Sequence, residues 1–331
     1  MMLPDFSQLR KQSAYSLERS SDPKRMVLFH TGIILLISLV MTLLDYLLEN
    51  AIGNTGGLSG MGTRSILSTI RSVLLIAQGV ALPFWQIGYT FYALQVAQGK
   101  DTEYRTFCEG FRRFGPVLRL TIFTGIIYLA IALFCTYVSS FLFLMSPWGS
   151  ALMEPLYELS TGENMDAEAL EQLVNIMSAE AMLPILLIFI PCYLLLCAPF
   201  FYRYRMAAFW LLDHPQGGAL AAMHNSRKMM QGNRITLFRL DLQFWWFYLL
   251  DGIITLICYG DLLLEKLGIS LPFSENLSYF LFFGIYLVCQ LGLYYWRRNE
   301  VSVTYGHVYL SLLEQQPQET PKNPGKQPWV Y

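Results

Sequence analysis

The sequence predicts an all-α polytopic membrane protein, a bundle of six transmembrane helices. Of its 331 residues, 54% are apolar and only 14% are charged, whereas a soluble domain typically carries about 25% charged residues. The second observation is a series of six long apolar stretches, which Gly, Pro or charged residues separate from one another. Both features together are typical of a protein that resides in a bilayer.

Each stretch is long enough to cross a membrane. A transmembrane helix needs about 20 mostly apolar residues, because the hydrocarbon core is about 30 Å thick. Pro83 in the second stretch and Pro191 and Pro199 in the fourth are compatible with this assignment, since neighbouring groups in a membrane bundle satisfy the carbonyls that proline leaves free. The predicted transmembrane domain, 27–296, has the spans 27–49, 66–95, 116–144, 183–212, 237–264 and 277–296.

Lys and Arg near the span ends predict that both termini are cytoplasmic, because basic residues are retained on that side. The segment 1–26, the loops 98–115 and 213–236 and the segment 297–331 are all basic. The loops on the other side hold few basic residues, and 145–182 holds none. Six spans with both termini inside account for every loop, although the net charge of −1 hides this segregation.

The N-terminal segment 1–26 is predicted to be amphipathic and cytoplasmic. Two alternatives remain open, a short helix on the membrane surface and a flexible tail. The helix is favoured by residues that fall near one helical face, namely Phe6, Leu9, Ser13, Ala14 and Leu17.

Two further segments flank the spans. The acidic loop 145–182 predicts an extracytoplasmic amphipathic helix, since its apolar residues repeat at helical spacing. Its acidic residues form either a solvated helix face or a rim that attracts cations. In 297–331 the last helix is expected to continue into the cytoplasm or to bend along the membrane. A Pro- and Gln-rich tail follows, which predicts disorder.

The loop 213–236 is predicted to hold a turn of basic helix between Ser226 and Gly232, directly before the fifth span. Gly232 is expected in a left-handed conformation, which lets the chain reverse there. We therefore expect Gly232→Val to destabilise the protein more than Gly217→Val.

The sequence predicts no enzyme, no cofactor and no metal site. None of the six cysteines falls in an outer loop, so no disulfide framework is implied. The four histidines form no metal-binding pattern, and phosphate-binding loops and nucleophile elbows are absent. Basic pairs such as Arg112-Arg113 and Arg227-Lys228 are explained by topology and by anionic lipid headgroups rather than by nucleic acid.

Asp251 is the sharpest functional clue, because an ionisable group deep in a bilayer costs at least about 2.5 kcal/mol. It falls near the middle of the fifth predicted span and should face the bundle interior, paired with a group such as Gln78 or Gln290. Two alternatives remain open, a proton or cation relay and an interhelical hydrogen bond.

Other ionisable residues fall near the ends of the spans. Asp45 and Arg71 reach a similar depth in the first and second spans and predict a structural ion pair. Four residues at the inner ends of the fourth and fifth spans share one depth, and they either bind a lipid headgroup or hold this hairpin in place, which we favour. They are Arg203, Arg205, Arg239 and Asp241.

The stretch around this hairpin holds a long set of residues in a distinctive order, with further ones near the two ends of the chain. They are Met206, Asp213, Pro215, Ala219, Ser226, Arg227, Met230, Gly232, Leu237, Phe238, Leu240, Asp241, Leu242 and Phe244, with Leu9, Arg10, Ala14, Leu17, Thr304 and Tyr309 near the ends. This set resembles a bacterial family of six-span integral membrane proteins known only as a domain of unknown function, family nine seventy-five. Gln243 and Phe247 depart from the family pattern, in which Ser and Trp are usual. The resemblance implies a location in the bacterial inner membrane and supplies no established activity.

Two functions are therefore considered. The first is a non-catalytic membrane scaffold or accessory module, whose partners are the lipid bilayer and another membrane protein. The alternative is a small permease or a lipid-handling transporter that uses the intramembrane Asp251.

Overall fold

A computed structural model describes residues 5–54, 61–147, 149, 182–260, 264 and 275–315. This part of the chain is helical and contains no strand, so the predicted all-α class is confirmed. Most of the acidic loop 145–182 and the tail after residue 315 lie outside the described residues. The outer amphipathic helix and the disordered tail therefore stay predictions.

The helices are numbered here in chain order. A 3₁₀ turn, Tyr104–Cys108, precedes α4, and a π-helical turn, Tyr294–Arg298, joins α11 to α12. The helices are α1 (Phe6–Arg19), α2 (Pro23–Asn54), α3 (Met61–Ala97), α4 (Glu109–Arg112), α5 (Phe114–Leu144), α6 (Met182–Tyr204), α7 (Ala207–Asp213), α8 (Ala219–Met229), α9 (Arg234–Gln243), α10 (Trp245–Ile257), α11 (Glu275–Leu293) and α12 (Asn299–Glu314).

Two compact units divide the chain. The larger unit consists of Met1–Arg119 and Met206–Tyr331, and the smaller unit consists of Leu120–Arg205. The smaller unit holds most of α5 and all of α6. The sites described below belong to the larger unit, unless the smaller one is named.

Five helical segments of the described chain are long and apolar enough to cross a membrane, and there are six if one bent pair of helices is counted as a single span. This agrees with the predicted multi-pass architecture, while the orientation of the spans stays a prediction. The five segments are Pro23–Ile52, Thr63–Ala97, Phe114–Leu144, Ile185–Asp213 and Leu277–Glu314, and the bent pair is Arg234–Gln243 with Trp245–Ile257.

The fifth predicted span, 237–264, contains a sharp bend that the apolar pattern did not indicate. The chain bends by 65° between α9 and α10, and Phe244 is the only residue between them. The backbone N–H of Phe244 donates to the carbonyl of Asp241 at 3.0 Å, which closes α9 with a tight turn. Hydropathy averaged over the stretch missed the bend, because α9 carries apolar residues as well as charged ones.

The end of the chain continues the last span as one helical run from Glu275 to Glu314. Continuation was one of the two predicted alternatives. The residues that keep the helical period beyond the π turn are buried; they include Val301, Tyr305, Val308 and Leu312.

The N-terminal segment forms α1, which packs against α12 and α3. Leu9 and Ser13, on its predicted face, are fully buried. Thr304 donates a hydrogen bond to the Ser13 hydroxyl at 3.1 Å, and Ser16 lies 3.0 Å from Nε2 of His307. The flexible-tail alternative is therefore wrong, and the buried face of α1 is covered by protein.

Close backbone contacts hold the second half of α3 in place. A Cβ atom at Gly88 would overlap the backbone oxygen of Phe107, and one at Gly110 would overlap that of Phe84. A Cβ atom at Gly306 of α12 would lie 2.9 Å from the Cβ atom of Ala97 and 3.0 Å from the backbone oxygen of Ala93. These glycines let α3 pack closely against α12, against the turn before α4 and against α4 itself.

Gly232 has φ of +84°, so its predicted left-handed conformation is confirmed. A Cβ atom at Gly217 would overlap the ring of Trp210, whereas one at Gly232 meets nothing within 4 Å. Backbone strain at Gly232 thus competes with a steric clash at Gly217. The structure therefore gives no physical reason to expect that Gly232→Val destabilises the protein more than Gly217→Val.

Candidate functional site

Asp251 on α10 and Gln290 on α11 form a hydrogen bond inside the larger unit. Nε2 of Gln290 donates to Oδ1 of Asp251 at 2.7 Å. Gln290 is 5% exposed, and its Oε1 has no hydrogen-bond partner in the described part of the chain. Gln78, the other candidate partner, makes no hydrogen bond to either residue among those described. The structure therefore brings together two of the three residues predicted for this site.

A line of polar side chains leads from this pair along the last helix. Tyr294 lies one turn beyond Gln290, and its side chain is close to both Gln290 and Asp251. Arg298 follows four residues later, at the end of the π-helical turn. π-Helical turns are rare in proteins, and those that do occur are often located at functional sites.

Arg298 is buried, with 7% exposure, and no carboxylate of the described residues forms an ion pair with it. Its guanidinium lies over the rings of Tyr89 and Tyr294, 4.4 and 4.5 Å from their centroids. It donates hydrogen bonds to Oε1 of Gln86 at 2.7 Å and to Oγ1 of Thr31 at 3.2 Å. Aromatic faces and neutral acceptors thus stabilise the charge.

Sequence reasoning missed this role for Arg298, because Arg297 and Arg298 were interpreted only as basic residues that set the orientation. A usable signal was the spacing of four residues that joins Gln290, Tyr294 and Arg298 on one side of a helix. Periodicity alone could not show that the helix has a π turn there.

The predicted partners Asp45 and Arg71 are in contact. Nε of Arg71 donates to Oδ1 of Asp45 at 2.5 Å, and its Nη2 donates to Oδ2 at 3.0 Å. Glu49 lies 3.8 Å from the same guanidinium. Asp45 and Arg71 are each about one-third exposed, so the pair lies near the surface of the larger unit.

The four residues predicted to share one depth fall in different units. In the smaller unit, Arg203 lies over the ring of Tyr204 and Arg205 over that of Phe201, at 5.5 and 4.5 Å. In the larger unit, Asp241 accepts a hydrogen bond from Tyr248 at 3.5 Å, and Arg239 is exposed. The choice between binding a lipid headgroup and holding the hairpin in place therefore stays a prediction.

A second feature of the larger unit is a packed group of helices, which we call the platform. It consists of α1, the second half of α3 (84–97), the segment 104–112, α7 and α12, which pack against one another through α3 and α12. Its centre is rich in aromatic residues and includes Trp85, Tyr89, Tyr92 and Phe107, with Val303.

Polar contacts connect the helices of the platform. Asp213, at the end of α7, accepts hydrogen bonds from Gln98 at 3.1 Å and from Tyr309 at 2.9 Å. Glu300 of α12 accepts from Arg10 of α1 at 2.8 and 3.0 Å and also pairs with Arg297. These contacts stabilise the platform, and they include residues that carry the family resemblance, such as Asp213 and Tyr309.

A polar cavity of about 270 Å³ opens between α1 and α12 on the platform. Tyr15 on its rim is 64% exposed. Most of its lining side chains can donate or accept hydrogen bonds; they are Gln12, Tyr15, Ser16, His307, Leu310, Ser311 and Glu314. No group of three His, Cys, Asp or Glu residues that could hold a metal ion occurs among the described residues.

Comparison with known protein families identifies a match over most of the chain. A family model described as "Protein of unknown function (DUF975)" matches residues 19–300. No curated protein and no solved structure matches the chain.

Proposed function

The chain belongs to the DUF975 family, whose description names no activity, and from its geometry we propose a non-catalytic membrane module. It acts as a scaffold or accessory subunit that presents the platform to a membrane-protein partner. We place it in the bacterial cytoplasmic membrane, with both termini and the platform on the cytoplasmic side. The arrangement of basic loops in the sequence supports this orientation.

The platform is the observation that carries the proposal. Helix α12 forms the last 16 residues, about 24 Å, of the helical segment Leu277–Glu314, beyond the predicted sixth span 277–296. Three polar contacts dock α1 onto it, through Arg10, Ser13 and Ser16. Such a rigid pair of helices is not needed to anchor a chain in a bilayer. It does provide a fixed polar cavity in which a partner's side chains can form hydrogen bonds.

Site-specific crosslinking in native membranes tests this proposal. A photoreactive amino acid at Tyr15, on the cavity rim, is expected to capture one discrete protein. The control is the same amino acid at Leu129, an exposed apolar position of α5, which is expected to capture lipid. A Tyr15 probe that captures no protein, or only the same products as Leu129, would contradict the scaffold.

The alternative is a small permease or a lipid-handling transporter. It is favoured by the hydrogen bond between Asp251 and Gln290, by Oε1 of Gln290, which has no hydrogen-bond partner among the described residues, and by the polar line that continues to Arg298. In this reading Asp251 exchanges a proton or a cation, and the polar line leads toward the platform. Ion movement in proteoliposomes distinguishes the two functions.

A further inference from the structure

Helix α9 is not aligned with α10, the helix that follows it and that would cross the membrane. It is 10 residues long, about 15 Å, and meets α10 at 65°. Because of this angle α9 adds only about 6 Å along the direction of α10. If α10 crosses the bilayer, α9 therefore runs mostly along its surface.

Two opposite faces of α9 are apolar. Leu237 and Leu240 are buried, each 1% exposed, and pack into the larger unit. Ile235, Phe238 and Leu242 point the other way and are 69%, 49% and 51% exposed. At about 100° per residue, these three lie within a stripe about 60° wide, roughly opposite the buried pair. We call Ile235, Phe238 and Leu242 the exposed stripe.

Arginine borders the exposed stripe on both sides. At about 100° per residue, Arg239 lies about 40° from Ile235 in one direction, and Arg234 lies about 100° from it in the other. A narrow apolar stripe between two long basic side chains is the pattern of a helix in a membrane interface, where the side chains reach up to the headgroups.

An independent observation gives the level of the interface. Trp245 and Tyr248 lie in the first turn of α10 and are 58% and 40% exposed. Tyr295 and Trp296 of the last helix are 42% and 60% exposed. Trp246 connects the two groups, since its ring lies 5.3 Å from that of Trp296. Exposed Trp and Tyr on neighbouring membrane helices mark the boundary between membrane and water.

Contacts across the bend hold α9 in this direction. Phe244 is 2% exposed, and the guanidinium of Arg10 lies 5.9 Å from its ring centroid. Tyr248 of α10 donates to Asp241 of α9 at 3.5 Å, and its hydroxyl lies 3.4 Å from that of Tyr305. The angle is thus fixed by packing against α1 and α12.

We infer that α9 is an interfacial helix that binds an anionic lipid surface. Its exposed stripe inserts at the boundary between headgroups and acyl chains, and Arg234 and Arg239 contact lipid phosphates. The membrane span then begins at Trp245. This inference does not depend on whether the protein is a scaffold or a permease.

The inference changes the depth of Asp251. Trp245 is six residues before Asp251, and Trp296 is six residues after Gln290, about 9 Å along a helix in each case. The two distances agree, as the hydrogen bond between Asp251 and Gln290 requires. The pair therefore lies about 9 Å below the interface, between the headgroups and the midplane of a core about 30 Å thick.

Depth-dependent quenching tests the direction of α9. A fluorescent amino acid is placed at Ile235 or at Leu242 of the otherwise unchanged full chain, in vesicles of phosphatidylcholine and phosphatidylglycerol that contain lipids brominated at known depths. With α10 along the bilayer normal, the two probes should differ in depth by about 4 Å, whereas a straight span places them about 10 Å apart. A probe at Gln231 gives the reference for a position in water, and a probe at Leu249 of α10 gives the reference for a position inside the membrane.

A depth difference near 10 Å, or no quenching at either position, would overturn the inference. The headgroup contact is tested with the double variant Arg234→Gln/Arg239→Gln, counting by native mass spectrometry the phosphatidylglycerol molecules that stay bound. The count should fall in this variant and stay unchanged in Arg234→Lys/Arg239→Lys, which keeps the charge. Equal counts in the wild type and the glutamine variant would overturn the lipid contact.

Discussion

The two halves of α3 show how one helix can have two different surroundings. In the first half (63–82), aliphatic side chains point outward and exceed one-third exposure; they include Ile66, Ile70, Val73, Leu75, Ile76 and Val80. In the second half (84–97), most large side chains are almost fully buried, and Phe84, Tyr89, Tyr92, Leu94 and Val96 are each at most 1% exposed.

This difference indicates that the folding free energy of the larger unit comes mainly from the second half of α3 and the helices packed on it. Lipid chains are as apolar as the side chains of the first half, so its burial against protein would gain little. The second half is packed like the core of a soluble protein, in which a change of one methyl group is felt. Substitutions in the platform should therefore cost much more than matched substitutions in the first half of α3.

The largest expected difference is between two glycines of the same helix. Gly88→Ala should destabilise the protein by about 3 kcal/mol, because the new methyl group overlaps the backbone oxygen of Phe107, which cannot move alone. Gly79→Ala has open space around its Cβ atom and should be neutral or stabilising by up to about 1 kcal/mol. Thermal unfolding of both purified proteins in mild detergent measures the difference. Similar melting temperatures would refute the division of α3 into two environments.

A smaller effect is expected from one hydroxyl of the second half. The Tyr89 hydroxyl donates to Oδ1 of Asn299 at 2.7 Å and joins α3 to α12. Tyr89→Phe should cost about 1 to 2 kcal/mol, because it leaves that oxygen unsatisfied while it keeps the ring under Arg298. Tyr137→Phe removes a hydroxyl from a side chain that is 74% exposed and serves as the control. The prediction fails if both variants unfold at the temperature of the wild type.

The ion pair of the first half should contribute less. Asp45 and Arg71 are each about one-third exposed, and pairs of this kind contribute at most about 1 kcal/mol. A double-mutant cycle with Asp45→Asn and Arg71→Gln measures the coupling directly. A coupling energy above about 2 kcal/mol would show that this end of α3 is as tightly constrained as the platform.

The architecture could be predicted from the sequence where one physical rule governs a long stretch. Apolar length identified the helices that can span a membrane, and the period after Trp296 predicted that the last helix continues. The bend at Phe244 was missed because it depends on Arg10 and Tyr305, which are distant in sequence. The same reason hid the pairing of α1 with α12, since a period shows that a face is apolar and not what covers it.

The candidate residues show a similar limit. The contact between Asp45 and Arg71 could be predicted, because charges at equal depth in consecutive spans have few other partners. The choice of Gln290 over Gln78 for Asp251 depends on which helix lies beside α10, and a single sequence does not give that neighbour. The role of Arg298 was hidden because its partners are aromatic rings and neutral groups on two other helices.

The smallest effect on stability, and the largest on the choice of function, is expected for Asp251→Asn. The asparagine oxygen can still accept the hydrogen bond from Gln290, and the cost of a charge below the membrane surface disappears. The melting temperature should therefore stay equal or rise.

In a permease, the Asp251→Asn variant loses proton or cation movement in proteoliposomes under an imposed gradient, because an amide does not titrate. In a scaffold, wild type and variant both match empty vesicles and keep the partner captured at Tyr15. Ion movement by the wild type that Asp251→Asn abolishes would contradict the scaffold and establish the permease, whereas a variant that melts well below the wild type would show that the carboxylate is part of the fold.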